Sequence, residues 1–159
     1  IFNKGDFCLD VGTGTGILAI ELAKKGCKVI ATDINEYALE IAKENAILNK
    51  VENFIEFRKS DLFENVPEKF DLIVFNPPYL PVNDEGILEK AWAGGNFETI
   101  IKFLNEVDKH LNENGRFEIL ISSLTKFDLN KFEKKFKFGI IASKKLFFEE
   151  IFVILGERK

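Results

Sequence analysis

The chain has 159 residues, enough for one domain with a substantial core and too few for two ordinary ones. Hydrophobic residues at 46% and charged residues at 30% give the profile of a soluble globular chain, and the net charge of -4 weighs against a broad nucleic-acid-binding face, which needs clustered Lys and Arg. No apolar run approaches the length of a transmembrane helix and no signal peptide is visible, so the expected compartment is the cytoplasm.

Taken in order, strand-like and helix-like segments alternate, which predicts a mainly parallel sheet covered by helices. Phe7 to Val11 reads as a first strand, followed by a glycine-rich turn and a helix from Ile17 to Lys25 that Gly26 ends. Lys28 to Thr32 is a second strand closed by Asp33. Asn35 caps a helix running to Asn49, with Leu39, Ala42, Ala46 and Ile47 at helical spacing. Phe54 to Arg58 is a third strand, ending near Ser60-Asp61, and Leu72 to Phe75 is a fourth. Residues 80 to 96 lack periodicity and read as loop. Asn96 caps a helix with an apolar stripe of Ile100, Ile101, Phe103, Leu104, Val107 and Leu111, which Asn114-Gly115 breaks. Arg116 to Ile121 is a fifth strand, Thr125 to Phe136 a short helix, and Phe138 to Ser143 and Leu146 to Leu155 a closing pair of strands. Seven strands in this order predict one domain over residues 1–159, a three-layer α/β/α Rossmann-like sandwich rather than a barrel.

Seventeen Phe predict a Phe-rich core, with an exposed patch for a partner as the alternative. Cys8 and Cys27 lie in or beside apolar segments and read as buried free thiols, not a metal pair, so no metal site is expected. His110, near the polar end of a helix, reads as a surface residue and not as a catalytic base. The chain begins at Ile1 and contains no Met, from which an absent upstream segment is expected.

Chemistry concentrates in two places. The first turn reads Asp10-Val11-Gly12-Thr13-Gly14-Thr15-Gly16, where glycines let the backbone approach a ligand and the next helix offers its N–H groups. A dinucleotide fingerprint has glycines at positions one, three and six; here the third falls at position five and Ile17 follows. Asp10 repels a pyrophosphate but suits a cationic amino-acid group, which favours S-adenosylmethionine over NAD and disfavours a dehydrogenase. Asp33, with Ile34 beside it, is placed to take the ribose hydroxyls, and Asp61 with Leu62 the adenine. Asp10, Asp33, Asp61 and Asn76 thus fall at one edge of the expected sheet, where open α/β sheets bind ligands. Each aspartate alone would pass as a cap or turn residue.

The second place is Asn76-Pro77-Pro78-Tyr79, directly after the fourth strand. Two prolines cannot donate backbone hydrogen bonds and fix their own φ, so the turn is rigid and the Asn76 and Pro77 carbonyls are free of the sheet. With the Asn76 amide oxygen and the flat face of Tyr79 they describe a cradle for a planar group bearing an –NH2, either a nucleobase amine or a carboxamide. The bland alternative is a turn with Tyr79 packed on the core.

On these residues the chain resembles the class I S-adenosylmethionine-dependent methyltransferases, over nearly its whole length. Asn76 to Tyr79 is similar to the motif of enzymes that methylate amino groups on planar carbons, of two kinds: adenine-N6 or cytosine-N4 nucleic-acid methyltransferases, and glutamine-N5 methyltransferases acting on the Gly-Gly-Gln loop of class I release factors. Ala91-Trp92-Ala93-Gly94-Gly95 and Leu146-Phe147-Phe148-Glu149-Glu150 resemble the HemK2/Mtq2-type branch of the second kind. The resemblance implies the sheet order 3-2-1-4-5-7-6 with the last strand antiparallel. It assigns Asp10, Gly12, Gly14 and Gly16 to the methionine part of the cofactor, Asp33 to the ribose, and Asp61 and Leu62 to the adenine, with Thr13, Ile34 and Asn76 also against the cofactor. Asn76, Pro77, Pro78 and Tyr79 receive the acceptor amide. It also implies a small zinc-binding Trm112-type subunit on the edge of strand three, near Phe54, Ile55 and Phe57, although those side chains can equally pack on the chain's own helices. A further glycine is usual after the Trp-Ala-Gly-Gly loop, and Phe97-Glu98 stand there instead. A non-catalytic module that keeps the cofactor pocket is the alternative of another class.

Overall fold

The computed structural model describes residues 3–77, 98–125 and 127–159. Its strands are β1 (Phe7–Val11), β2 (Lys28–Asp33), β3 (Ile55–Lys59), β4 (Phe70–Phe75), β5 (Leu111–Ser122), β6 (Phe136–Lys145) and β7 (Glu150–Arg158), with helices α1 (Ile17–Lys24), α2 (Glu36–Leu48) and α3 (Glu98–Glu106). They form one sheet in the order β3-β2-β1-β4-β5-β7-β6, as expected. Neighbours from β3 to β5 are parallel, and β7 runs antiparallel to both β5 and β6. Every parallel strand therefore delivers its C-terminal end to one edge.

Burial explains why the central strands read as continuous apolar runs. Along β4, Leu72 and Val74 pack in a cluster with Cys8, Ala19, Val29 and Ala31, under α1 and α2. Ile73 and Phe75 pack on the opposite side with Leu9, Phe103 and Phe117. Both faces are covered, so successive residues must be apolar. A chain of aromatic contacts crosses the second cluster, with centroids 4.7 Å apart for Phe75–Phe103, 5.6 Å for Phe103–Phe117 and 5.0 Å for Phe117–Phe136. The helix ends follow local chemistry. The Asn35 side chain accepts from the Tyr37 N–H at the start of α2, and Gly26, at φ 91°, stops the first helix in the left-handed conformation that glycine tolerates.

The structure departs from the expected elements mainly between residues 107 and 150. The helix ends in a 3-10 turn at Val107–His110, and β5 begins five residues earlier than Arg116. Leu111 pairs with Phe70 and Arg116 with Leu72, so Asn114-Gly115 lies within an irregularity of β5 rather than breaking a helix. The expected helix from Thr125 reduces to a 3-10 turn at Leu129–Phe132, capped by Asp128. Phe136 is drawn into the sheet, where its buried ring meets Phe117 edge-on. Ile47 and Ile101, placed on apolar stripes by periodicity, are exposed. His110 is half-buried and not a free surface residue, stacked 4.3 Å from Phe63. Cys8 and Cys27 are buried free thiols. The expected loop at 80–96 and the Asn96 cap lie outside the described residues. Among the described residues no helix is long and apolar enough to cross a membrane, and no cluster of His, Cys, Asp or Glu is placed to hold a metal ion.

Gly156 is the tightest point of this packing. A Cβ there would sit 2.1 Å from Cζ of Phe117, whose ring is fully buried and hemmed in by Phe103, Phe136 and Phe138. Gly156→Ala is expected to lower the unfolding free energy by about 1–3 kcal/mol, the usual cost of overpacking a core. The shift of the urea midpoint measures it, and an unchanged midpoint would contradict the packing described.

Candidate active site

The site is built on the edge where β1, β2, β3 and β4 end. Asp10 is buried, and its Oδ2 accepts from the Thr13 hydroxyl at 2.7 Å and from the Ala19 N–H at 3.0 Å. One carboxylate oxygen thereby joins the strand, the glycine turn and the first turn of α1. The Thr13 N–H donates to the Thr32 carbonyl at 2.7 Å, and the Gly14 N–H donates to Asp33 Oδ2 at 2.9 Å, which stitches the turn to β2. Gly12, Gly14 and Gly16 all have positive φ. A Cβ on Gly14 would meet nothing within 4 Å, whereas one on Gly16 would lie 3.0 Å from Ala42 Cβ. The first glycine leaves open room for a ligand, and the other lets α1 approach α2 closely.

Burial pushes the Asp10 carboxyl up to about 7, against the hydrogen bonds from Thr13 and Ala19 that favour its ionised form, with the charge of Asp33 adding to the rise. Asp10 thus supports the turn from beneath and presents no exposed carboxylate to a cationic group. Asp33 stands at the rim. Its Oδ1 accepts from the Asn35 N–H at 2.9 Å, and each carboxylate oxygen keeps a further lone-pair direction. Ile34 beside it is exposed.

After β3 the chain turns at Ser60, whose N–H donates to the Asp33 carbonyl at 3.0 Å and whose hydroxyl donates to the Leu62 carbonyl at 3.0 Å. This latch brings exposed Asp61 and half-buried Leu62, at φ 46°, to the same edge. At the end of β4 the Asn76 side chain is exposed and Pro77 behind it is buried. The Phe75 ring comes within 3.7 Å of the position a Cβ would take on Gly12, so the glycine turn and the end of β4 are neighbours. Pro78 and Tyr79 lie outside the described residues.

Asp10, Gly12, Thr13, Gly14, Asp33, Asp61, Leu62 and Asn76 are thus gathered on one edge. The donor set fits an elongated ligand bearing hydroxyls: open glycine backbone at one end, the Asp33 and Asp61 carboxylates along one side, and an apolar residue beyond. Two supports escaped the sequence reading. Ser60 carried no signal beyond its place before Asp61. Asn45 Nδ2 donates to the Thr15 carbonyl at 2.9 Å, from a position that reads as ordinary helix surface.

Comparison with known proteins points in one direction. The profile of the family described as "Methyltransferase small domain" matches residues 3–147. A protein of Methanocaldococcus jannaschii, provisionally named a protein N5-glutamine methyltransferase, is 46% identical over 161 aligned positions covering 95% of this chain and 81% of the relative. The release factor glutamine methyltransferase of Streptococcus pneumoniae is 46% identical over 79 positions, which cover 48% of this chain and 28% of that protein. Among solved structures, the E. cuniculi Mtq2–Trm112 complex, described as responsible for methylating the translation termination factor eRF1, superposes with a TM-score of 0.74 at 26% identity, over 98% of this chain and 87% of that one.

The Asp10 shift has a measurable consequence. A carboxyl raised from 3.8 to about 7 by folding is ionised first in the unfolded chain. Stability from this group is therefore full below about pH 4 and is lost as pH climbs towards 7. Urea unfolding is expected to show lower stability at pH 8 than at pH 5, and Asp10→Asn should flatten that difference. An equal pH slope in wild type and variant would place the titration elsewhere.

Proposed function

This chain belongs to the methyltransferase small domain family, and we propose that it methylates the side-chain amide nitrogen of a glutamine, that of the Gly-Gly-Gln motif of a class I translation release factor. It is a methyltransferase whose donor is S-adenosylmethionine. The observation that carries the substrate reading is the exposed Asn76 carboxamide followed by buried Pro77, at the strand end that adjoins the glycine turn. The names of the archaeal and streptococcal relatives, and the termination factor named for the Mtq2–Trm112 complex, support glutamine as the acceptor.

In this reading Asp10, Gly12, Thr13, Gly14 and Gly16 form the methionine end of the cofactor site, Asp33 and Ile34 the ribose site, and Asp61 and Leu62 the adenine site. The bound cofactor supplies an electrophilic methyl group on a sulfonium. An amide nitrogen is a poor nucleophile because its lone pair is delocalised into the carbonyl. Asn76 Oδ1 and the Pro77 carbonyl accept from its two N–H groups, which orients the nitrogen and stabilises the positive charge that develops on it. Pro78 and Tyr79 complete the proposed acceptor motif by sequence. The cofactor, held by the glycine turn, Asp33 and Asp61, would supply the methyl group and keep the bonding electron pair on its sulfur, and the acceptor nitrogen would release one proton to water. This scheme uses no histidine base, in keeping with His110 packed on Phe63. The compartment is the cytoplasm, where release factors act.

A Trm112-type subunit is the proposed partner, on the open side of edge strand β3. Ile55 and Phe57 pack towards the chain's own helices, so the side-chain contact falls chiefly to Phe54, which is half exposed, with main-chain groups of β3 supplying the rest. Phe54→Asp is expected to abolish co-elution with such a subunit in size-exclusion chromatography. Co-elution that survives the change would move the interface elsewhere.

Asn76→Ala should lower turnover on the release factor by roughly 10²–10³, as for loss of one such electrostatic contact, with little change in cofactor affinity. Initial rates with labelled cofactor measure this, and a fall of less than about tenfold would sink the proposed role.

A further inference from the structure

We propose that the tip of the β6–β7 hairpin, Phe147 and Phe148, is an anchor that docks the acceptor protein beside the site; the inference rests on the release-factor reading above. Lys145 pairs with Glu150, and the Leu146 N–H donates to the Glu149 carbonyl at 2.7 Å, which leaves a two-residue loop made of the two phenylalanines. Such loops favour Asn, Asp and Gly, and an exposed Phe-Phe pair serves neither the turn nor the core. Both rings are wholly in solvent, at 101% and 92% exposure.

The tip is nonetheless firmly held. The Glu150 N–H donates to the Ser123 hydroxyl at 2.9 Å, the Ser123 N–H donates to the Glu150 carbonyl at 2.7 Å, and the Ser122 hydroxyl bonds the Glu149 carboxylate. These bonds fix the aromatic pair to the end of β5 and remove much of the ordering cost of binding through it.

Its position suits an acceptor. Asp10, Asp33 and Asp61 put the cofactor on the β1–β3 side of Asn76, so a macromolecule reaching Asn76 approaches over β5, β7 and β6. Phe75 pairs with Ile119 and Ile119 with Ile154, which lies six residues from Phe148 along β7, so the tip rises about 20 Å beyond the end of β4. Strand spacing puts β7 about 10 Å and β6 about 15 Å to the side of β4. Phe147 and Phe148 therefore stand on a wall flanking the cradle, at the distance of neighbouring surface on a protein whose loop enters it. The rings lie 6.5 Å apart and tilted by 44°, which forms no parallel slot for a nucleobase but suits two side chains entering an apolar pocket. Exposed Lys144 and Lys145 behind them favour an acidic rim on that pocket.

The test is calorimetric binding, with S-adenosylhomocysteine present, of an intact class I release factor and of a short peptide bearing Gly-Gly-Gln. The double change Phe147→Ser with Phe148→Ser, both at solvent positions, is expected to weaken binding of the intact factor at least about tenfold and leave the peptide unaffected. Phe147→Tyr with Phe148→Tyr should restore most of it. If wild type binds the factor and the serine variant binds it equally well, the docking inference falls while the glutamine reading stands. Equal loss for factor and peptide also overturns it, since the tip would then act on the site itself. If wild type neither binds nor methylates the factor, the glutamine reading fails and takes the inference with it. A wild-type dimer that becomes monomeric in the serine variant, with factor binding retained, would make the tip a self-association contact instead.

Discussion

The arrangement depends on one buried carboxylate. Asp10 sits inside the sheet edge and holds the Thr13 hydroxyl and the Ala19 N–H on a single oxygen. A turn of three positive-φ glycines has no side-chain packing to define it, so its shape must come from hydrogen bonds. Asp10 ties it to α1, Thr32 and Asp33 tie it to β2, and Asn45 reaches it from α2. The cost of burying that carboxyl shows in its upward shift, and what the chain gains is a glycine turn whose shape is set before anything binds.

From that point the geometry of donor and acceptor follows from the sheet. Because β1 and β4 are parallel neighbours, the glycine turn and Asn76 emerge side by side. Phe75 lies under Gly12 and against Phe103, so the last residue before the acceptor turn is held by the core. Positioning of this kind is most of what methyl transfer to a weak nucleophile asks of a protein. The same sheet carries β5 and the β6–β7 hairpin past the site, so that in the proposed reading one half of the edge serves the small ligand and the other half a larger one.

The central strands could be read in the sequence because both faces of β1, β2 and β4 are buried, which leaves unbroken apolar runs closed by Asp or Asn, whereas the sheet order followed only from the family resemblance. Glycine spacing, the Asn35 cap and Gly26 were equally direct, since each is a local backbone requirement. The sequence misled where tertiary contacts override local pattern. Asn114-Gly115 looks like a helix stop, yet the long irregular pairing of β5 with β4 absorbs it. The run from Thr125 has helical spacing, but Phe136 gains more by joining the Phe117 ring cluster. The burial of Asp10 is not visible in the sequence, because the partners that hold it come from residues three and nine positions on. The hairpin tip reads as strand in the sequence, since a Phe-Phe turn contradicts ordinary turn chemistry.

The central claim is that the acceptor atom is an amide nitrogen held at Asn76. Mass spectrometric mapping of the products tests it most directly, after incubation with S-adenosylmethionine, a class I release factor, an adenine-rich DNA and a Trm112-type subunit together. A single added methyl on the glutamine of the Gly-Gly-Gln motif, fragmenting as a side-chain N-methylamide, is the predicted result. Methyl groups on adenine with an unmodified glutamine would contradict it, and would reassign the same cradle to a nucleobase amine.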